Sequence, residues 1–457
     1  MLIKRRIEGE EQPYIPFGLF KIRLPFIHYR LEAPEMLQAI LMIAVGFSAI
    51  PLLQETLGMS YEVALTLVAF AEFLNLLHVT LGDPVVPGWI ASAMPLVIVY
   101  LSGYEVGPDS VHALMALQIM VSLIFIIMGA TGMAHRLIKV IPNSLKAGIL
   151  LGAGIAAINR EFGADGHIAS YPVSIAAGAL ITFFILFSMR FKILKSKNNL
   201  FLEIGKYGML PGLVAAMIVG PIVGELEIPR IEWGFIDFRF GEMFANYSPF
   251  GIGFPTVAMF LSAVPMAIAV YIIAFGEIIT ADVILKEAGH SRPDEKIDFN
   301  SNRSNIIAGI RNLALALTCP FTPLSGPLWA AISIAICERY KEGRKAVDSI
   351  FSSMGSFRIS AAICVSLMPV ASLCKPVLPI ALGLTLLVQG FACSYIAIDM
   401  VKNSKTAAGI AGVVAAIIAI KGVTWGMAIG ISLFILLEAH PVFSAKKQPK
   451  REYTEEV

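Results

Sequence analysis

The chain has 457 residues, of which 57% are hydrophobic and only 15% are charged. Its mean hydropathy is +0.76, and a chain this apolar is a polytopic membrane protein rather than a soluble domain. A net charge of +2 gives no reason to expect nucleic-acid binding. The five cysteines show no metal-ligand spacing, so we expect buried thiols and neither a metal site nor a cofactor.

Residues 1–33 form a basic, aromatic lead-in before the first apolar segment. Lys4, Arg5 and Arg6 are followed by acidic residues instead of an apolar run, which is not the pattern of a cleavable signal peptide. Aromatic side chains then alternate with basic ones around Lys21 and Arg23. This pattern predicts a segment in the membrane interface or, as an equal alternative, a cytoplasmic tail.

Apolar stretches of roughly 20 residues, enough for one bilayer crossing each, follow along the chain. We number them one to fourteen and place them at 34–53, 62–79, 85–102, 112–131, 137–158, 171–189, 206–224, 256–282, 304–318, 323–338, 355–373, 376–397, 405–420 and 423–439. Lys and Arg concentrate in alternate connections, since 190–206 contains five, 103–111 contains none and 159–170 contains only Arg160. The positive-inside rule then predicts an integral protein of the inner or plasma membrane with both termini cytoplasmic.

Two segments contain breaks where a membrane helix should be continuous. Pro320, Pro323 and Pro327 lie just before and at the start of segment ten, and the run Leu81–Trp89, with two prolines and two glycines, leads into segment three. Interrupted backbone at bilayer depth must be buried in protein or line a site. Breaks in matching places of two halves are typical of a transporter's binding site. We therefore predict an all-α polytopic membrane protein with fourteen transmembrane segments in two inverted seven-segment repeats.

The repeats also predict how the chain is divided into structural units. A core that carries substrate is expected from 34–132 (segments one to four) and 256–374 (eight to eleven), and a gate from 133–224 (five to seven) and 375–440 (twelve to fourteen). The outward connection 225–255 would join the repeats, and 441–457 would be a short cytoplasmic tail.

Three stretches resemble a known superfamily, the nucleobase–ascorbate transporters and SulP-type anion transporters. They are Pro34-Glu-Met-Leu-Gln38 at the start of segment one, 141–154 in segment five, and Phe275-Gly-Glu-Ile-Ile-Thr-Ala-Asp282 in segment eight. The resemblance implies the seven-plus-seven fold, alternating access, a substrate-contacting carboxylate on segment eight, and a homodimer formed through the gate.

The chain departs from both branches of the superfamily. Segment ten reads Thr322-Pro-Leu-Ser-Gly-Pro327, without the acid or amide usual in the nucleobase branch. No regulatory domain of the SulP kind is expected after residue 440. The resemblance therefore implies a divergent member and leaves nucleobase and anion substrates both open.

Glu277 is the main candidate for chemistry, because it lies in the apolar run of segment eight. An ionisable residue at membrane depth faces a cavity or a partner. Glu277 would bind substrate and accept a proton when the site empties, which would couple transport to the proton gradient. The alternative is that segment eight ends earlier and leaves Glu277 among the lipid headgroups. Asp282 is a second coupling candidate, although a pair with Lys286 on one helix face is the simpler interpretation.

The breaks themselves supply the other candidates. Half-helices that begin near Val86–Gly88 and Ser325–Pro327 would direct amide groups at the gap and favour anions or electronegative ring atoms. Further substrate contacts are predicted from Gln38, Thr322, Ser325 and Gly326, and for Gln38 an amide satisfied at a helix interface is an equal alternative. Asp83 is predicted either to bind a coupling cation or to cap the half-helix.

Polar residues within other segments have both a functional and a structural interpretation. Glu72, Asn75 and His78 share one face of segment two and either form a polar relay or face a neighbouring helix and the water boundary. Arg311 in segment nine needs a partner, and we expect it to hold a carboxylate. Gln389 is a weaker candidate for the site.

The sequence thus predicts a secondary active transporter of a small polar solute, either nucleobase-like or a small organic anion, driven by protons through Glu277 or by sodium. The alternative is a SulP-like exchanger or channel for an inorganic anion such as bicarbonate. The sequence contains no motif of a hydrolase, metalloprotease or phosphate-binding loop, so we do not expect an enzyme. The expected partners are the solute, the coupling ion and the lipid bilayer.

Overall fold

The structure is a computed structural model that describes residues 6–134, 136 and 140–438. The predicted tail 441–457 lies outside the described residues. In chain order the α-helices are Ala33–Phe47, Ala49–Leu57, Tyr61–Thr80, Met94–Leu101, Pro108–Thr131, Asn143–Phe162, His167–Ser170, Pro172–Phe187, Met189–Lys197, Asn199–Lys206, Leu210–Val223, Phe240–Tyr247, Pro249–Ile252, Val257–Ser291, Ser301–Thr318, Ala330–Lys341, Ile350–Cys364, Met368–Cys374, Leu378–Val401, Lys405–Lys421 and Val423–Leu437. Four short strands, Ile15–Phe17, Phe20–Ile22, Gly88–Trp89 and Ser325–Gly326, form two antiparallel pairs.

The fold is mostly helical, as the sequence predicts. Within the described residues, five helices are long and apolar enough to span a bilayer, and two bent helix pairs would add one membrane span each. Shorter apolar helices include Ala91–Leu101, Ile350–Cys364 and Val423–Leu437. The total of fourteen transmembrane segments stays a prediction. Below, a segment number denotes the helix or helices that lie in the interval predicted for that segment.

The helices pack chiefly within two groups. In the first, segment nine packs on segment four, eight on four and ten, and eleven on one and two. In the second, segment five packs on twelve and thirteen, seven on six, and fourteen on thirteen. Contacts between the groups are fewer and come mainly from segments three and one against five and twelve. The helices of the predicted core and those of the predicted gate therefore each find most of their partners within their own group.

The lead-in is folded against the end of segment two. The Lys21 amide donates to the Leu81 carbonyl at 3.1 Å and the Arg23 amide to the Thr80 carbonyl at 2.8 Å. Gly82, at a φ of +93°, allows this approach, since an added Cβ would lie 2.6 Å from the Lys21 carbonyl oxygen. The Arg23 guanidinium lies 3.9 Å from the centre of the Phe351 ring. The observed hairpin packs on the end of segment two and on the Phe351 ring, and both interpretations from sequence, an interfacial segment and a cytoplasmic tail, stay predictions.

An ionic cluster ties the lead-in to the connection between segments eight and nine. Arg6 pairs with Glu295 at 2.7 Å and with Asp294 at 2.9 Å. The Tyr340 hydroxyl and the Ile350 amide also donate to the Glu295 carboxylate, at 3.1 and 3.2 Å. Because Glu295 is 3% exposed, burial raises the pKa of its carboxyl from the ordinary 4.5 to about 7, against the opposing effect of Arg6.

This raised pKa predicts a pH-dependent stability. Between about pH 4.5 and 7 the unfolded chain loses the Glu295 proton while the folded chain keeps it. The contribution of this proton to the free energy of unfolding is therefore full below pH 4.5 and is lost as pH rises through 7. The thermal midpoint of wild type minus that of Glu295→Gln should therefore fall across this window. Scanning both proteins in detergent from pH 4.5 to 8 measures it, and a difference that stays constant or rises with pH contradicts the prediction.

Candidate functional site

The two broken stretches lie side by side in the centre of the fold. Strand Gly88–Trp89 pairs antiparallel with strand Ser325–Gly326, with Gly88 opposite Gly326 and Trp89 opposite Ser325. Beyond the pair, the Ile90 amide donates to the Leu324 carbonyl at 3.1 Å and the Trp329 amide to the Val86 carbonyl at 2.6 Å. The interrupted backbone therefore satisfies much of its hydrogen bonding across the break, as burial in an apolar region requires. We call this strand pair the crossing.

Helices begin shortly after each strand of the crossing. A 3-10 turn, Ala91–Ala93, leads into Met94–Leu101, and Ala330–Lys341 follows the second strand. These helices start later than the predicted positions near Val86–Gly88 and Ser325–Pro327, because the residues in between adopt extended backbone and pair with each other. The positive ends of both helix dipoles still lie next to the crossing.

The buried side chain of Arg311, on segment nine, contacts both strands of the crossing. Its guanidinium donates to the Gly326 carbonyl at 2.9 Å and, with a longer contact of 3.4 Å, to the Gly88 carbonyl. It also contacts the Nε2 of His78 at 3.1 Å and the amide oxygen of Asn75. The side chain is 1% exposed. Sequence predicted a carboxylate partner for Arg311, whereas the observed partners are neutral side chains and both strands of the crossing.

A second clamp on the crossing comes from two amide side chains. Asn312 accepts from the Ser325 amide at 3.0 Å and donates to the Ser325 carbonyl at 2.8 Å. Gln118 of segment four donates to Asn312 at 3.1 Å and accepts from the Phe321 amide at 2.8 Å. We did not single out either amide from the sequence, although a polar residue inside an apolar segment is a signal that both display.

Glu277 of segment eight lies directly against the crossing. The side chain is half-buried, and its Oε2 atom is buried without a hydrogen-bond partner among the described residues. An added Cβ at Gly326 would lie 2.9 Å from that oxygen and 2.7 Å from the backbone carbonyl of Trp89. The helix continues to Ser291, so Glu277 is well inside it and not at its end. This placement brings the predicted carboxylate and the predicted break together.

Asp83 and Asp282 occupy very different surroundings. Asp83 is fully buried and pairs with the Nδ1 of His78 at 2.8 Å, which joins it to the Arg311 network through the opposite ring nitrogen. Its second oxygen, Oδ1, has no hydrogen-bond partner within the described part of the chain. Asp282 is partly exposed and pairs with Lys286 at 2.6 Å on the same helix, the arrangement that its spacing favours.

The remaining predicted contacts are divided between the crossing and its surroundings. Val86, Gly88, Ser325 and Gly326 are all buried at the crossing. Thr322 faces segment one, where its hydroxyl lies 3.0 Å from that of Thr56. Gln38 is half-buried on segment one.

Glu72 of segment two pairs with Arg358 of segment eleven at 2.9 Å, and both side chains are almost fully buried. The Arg358 guanidinium also lies 5.7 Å from the ring centre of Trp329, next to the crossing. Trp329 in turn packs edge-on against Phe357, with ring centres 5.9 Å apart. Glu72, Asn75 and His78 thus do share a buried polar face, as their spacing predicts; Glu72 contacts Arg358, and Asn75 and His78 both contact Arg311.

Segment twelve of the second helix group reaches the first group beside the crossing. The Ser92 hydroxyl donates to Gln389 at 3.4 Å, and the thiol of Cys393 lies 3.8 Å from the Ser92 carbonyl. Both Ser92 and Gln389 are half-buried. The crossing therefore lies near the boundary between the two helix groups, where a movement of one against the other would change access to it.

Comparison with known proteins gives a structural likeness only. No protein-family model and no curated protein sequence matches the chain. The transmembrane domain of a cyanobacterial bicarbonate transporter, BicA, superposes with a TM-score of 0.52 and 14% identity over 89% of this chain and 98% of that one. The chain has the fold of an anion transporter's membrane domain. Two structures of SLC26A9, one of them the murine anion transporter in an inward-facing state, give TM-scores of 0.55 at 14% identity and are covered over 66% and 70% of their length.

The likeness supports the SulP part of the predicted resemblance. The solved structures named above are described as a bicarbonate transporter and an anion transporter. Together with the apolar helices, the shared fold identifies the chain as an integral membrane protein.

Proposed function

We propose that this protein is a secondary transporter of a small anion, inorganic or carboxylate, that binds at the crossing. The observation that carries the proposal is the meeting of two helix starts with two paired strands, both held by the buried cation Arg311. Helix N-termini favour negative charge. In transporters with inverted repeats, such discontinuous segments form the substrate site.

Charge at the crossing also argues for coupling to a cation. Glu72 is neutralised by Arg358, and Asp83 contacts His78. Arg311, Glu277 and Asp83 remain as charges without a Lys, Arg, Asp or Glu partner among the described residues near the crossing. An anion beside an ionised Glu277 would be repelled, so binding requires that Glu277 be neutralised first. A proton is our first candidate for this role and sodium our second.

The transport movement that we propose is a displacement of the core against the gate. The crossing lies in the predicted core, which comprises 34–132 and 256–374. The predicted gate comprises 133–224 and 375–440, and its Gln389 and Cys393 contact Ser92 of the core. Dense packing within each group and fewer contacts between them support motion as two bodies. Such motion gives alternating access around a site carried by the core.

A nucleobase remains the second candidate for one reason. The unpartnered oxygen of Glu277 is a suitable acceptor for a ring N–H group. A nucleobase needs the carboxylate ionised, whereas an anion needs it neutral. The two substrates therefore predict opposite effects of removing the charge of Glu277.

A thermal-shift panel on the purified protein distinguishes these candidates. Sulfate, bicarbonate, formate and a set of nucleobases are tested on wild type, Glu277→Gln and the control Glu287→Gln, an exposed acid on the same helix. Saturating ligand at a hundredfold over its Kd stabilises the folded protein by about 2.7 kcal/mol. We expect an anion shift that grows on acidification in wild type and becomes independent of pH in Glu277→Gln. A nucleobase shift that is lost in Glu277→Gln would overturn the anion proposal.

A further inference from the structure

The connection between segments six and seven forms a folded elbow that no role at the crossing explains. It consists of Ser188 followed by the helices Met189–Lys197 and Asn199–Lys206. The Ser188 hydroxyl accepts from the Arg190 amide at 3.2 Å, and the Asn198 side chain accepts from the Leu200 amide at 2.8 Å. Each helix thus has a side-chain cap, so both starts are specified locally.

Aromatic packing fixes the elbow to the end of segment six. Phe191 is 3% exposed and packs edge-on against Phe184 of segment six and Phe201 of the second elbow helix, with ring centres 5.6 and 6.0 Å away. The second elbow helix makes an angle of 88° with segment seven. If segment seven crosses the bilayer, this helix lies in the membrane plane.

The outer surface of the elbow combines unpaired positive charge with exposed apolar side chains. Arg190, Lys192, Lys195 and Lys197 are all exposed, and none has an acidic partner among the described residues. No acidic residue occurs in Met189–Lys197. Met189, Ile193 and Leu200 are 70%, 54% and 63% exposed. Exposed basic and apolar side chains next to a helix that lies in the membrane plane are typical of segments in the headgroup region.

Four other cations on the predicted cytoplasmic side differ from those of the elbow, whereas Lys296, Lys345 and Lys405 are exposed without an ion pair among the described residues. Lys286, Lys341, Arg344 and Lys402 each pair with an acidic side chain at 2.6 to 3.2 Å. Their charge is compensated within the protein, as is that of Lys206, which pairs with Glu203 at 2.6 Å, whereas the charge of Arg190, Lys192, Lys195 and Lys197 is not. The compensation that the elbow lacks is what an anionic surface supplies.

We propose that the elbow, residues 188–206, binds the anionic phospholipid headgroups of the adjacent leaflet. The four cations would contact the phosphates while Met189, Ile193 and Leu200 enter the acyl boundary. Because the elbow is attached to segment six through Phe191, bound lipid would fix this part of the predicted gate to the membrane. This inference does not depend on the identity of the transported solute.

Native mass spectrometry of the full-length protein in detergent tests the proposal. Dioleoylphosphatidylglycerol or dioleoylphosphatidylcholine is titrated onto wild type, the elbow variant R190Q/K192Q/K195Q/K197Q, and the control K286Q/K341Q/R344Q/K402Q, which removes the same formal charge. Since each cation near an anionic surface strengthens attraction about fivefold, we expect the elbow variant to bind phosphatidylglycerol at least tenfold more weakly. The control should stay within twofold of wild type, and phosphatidylcholine binding should not change.

Three results would overturn the proposal. One is unchanged phosphatidylglycerol binding by the elbow variant, and another is an equal loss in the control. The third concerns millimolar inorganic phosphate. If phosphate stabilises wild type but not the elbow variant, and also displaces the lipid, the elbow is a site for a soluble anion. The four side chains are exposed, so the variant should keep the wild-type thermal midpoint. If it does not, the single variants Lys192→Gln and Lys197→Gln, each expected to bind about fivefold more weakly, decide the question.

Discussion

Replacing Arg311 by methionine is expected to cost about 3 kcal/mol or more of folding free energy, the largest stability effect that we predict. The substitution leaves the Gly326 carbonyl, the Asn75 amide oxygen and the Nε2 of His78 without their donor. Each buried polar group left unpaired costs about 1–3 kcal/mol, and the crossing loses the side chain that contacts both strands. A large fall in the thermal midpoint of the detergent-solubilised protein measures this.

Arg344→Met is the matched control for Arg311→Met. Arg344 is about half exposed and pairs with Asp348 at 3.2 Å in a surface i,i+4 arrangement. Such pairs contribute about 0.3–0.5 kcal/mol, so the control should melt close to wild type. Equal midpoints for Arg311→Met and Arg344→Met would show that the guanidinium does not hold the crossing together.

Gly326→Ala is expected to abolish transport, the largest functional effect among the glycine substitutions. The new Cβ would lie 2.7 Å from the Trp89 backbone carbonyl and 2.9 Å from the Glu277 carboxylate. Trp89 is paired with Ser325, so the backbone cannot withdraw without opening the crossing. At Gly88 the nearest atom to an added Cβ is the Trp329 Cβ at 3.1 Å, and a shift of a few tenths of an ångström relieves it. Gly88→Ala should therefore keep measurable transport.

Gly412→Ala supplies the neutral comparison for these two variants. A Cβ at Gly412 meets no atom within 4 Å, and the residue lies within the helix Lys405–Lys421, where alanine is the better helix former. Uptake by reconstituted protein is measured for all three variants. Uptake by Gly326→Ala equal to that of Gly412→Ala would mean that close approach at the crossing is not needed.

The positions of the breaks were visible in the sequence, whereas their pairing was not. Pro84, Pro87, Pro323 and Pro327 mark where helix cannot continue, because each lacks an amide donor. Which backbone the interrupted stretches meet depends on contacts between residues more than two hundred positions apart. The strands Gly88–Trp89 and Ser325–Gly326, and the later helix starts, follow from that contact.

The same distinction applies to the polar side chains. The spacing of Glu72, Asn75 and His78 correctly predicts a shared face of segment two, since helical periodicity is a local property. Their partners, Arg358 and Arg311, lie on segments eleven and nine, and sequence spacing does not assign such pairs. Thr322 is a further example, because spacing does not indicate that its hydroxyl lies 3.0 Å from that of Thr56, and its predicted substrate contact stays a prediction.

Uptake of labelled sulfate and formate into proteoliposomes tests the central proposal most directly. Uptake is compared for wild type, Glu277→Gln and Glu287→Gln under three conditions. The first has an inward proton gradient and the second an inward sodium gradient. The third has no ion gradient, and the vesicles contain unlabelled anion so that exchange is measured. We predict that wild type and Glu287→Gln accumulate one of these anions above equilibrium when the proton gradient is present. Glu277→Gln should exchange the anion without accumulating it. Undiminished accumulation by Glu277→Gln, or no anion movement in any of the three proteins, would contradict coupled anion transport at the crossing.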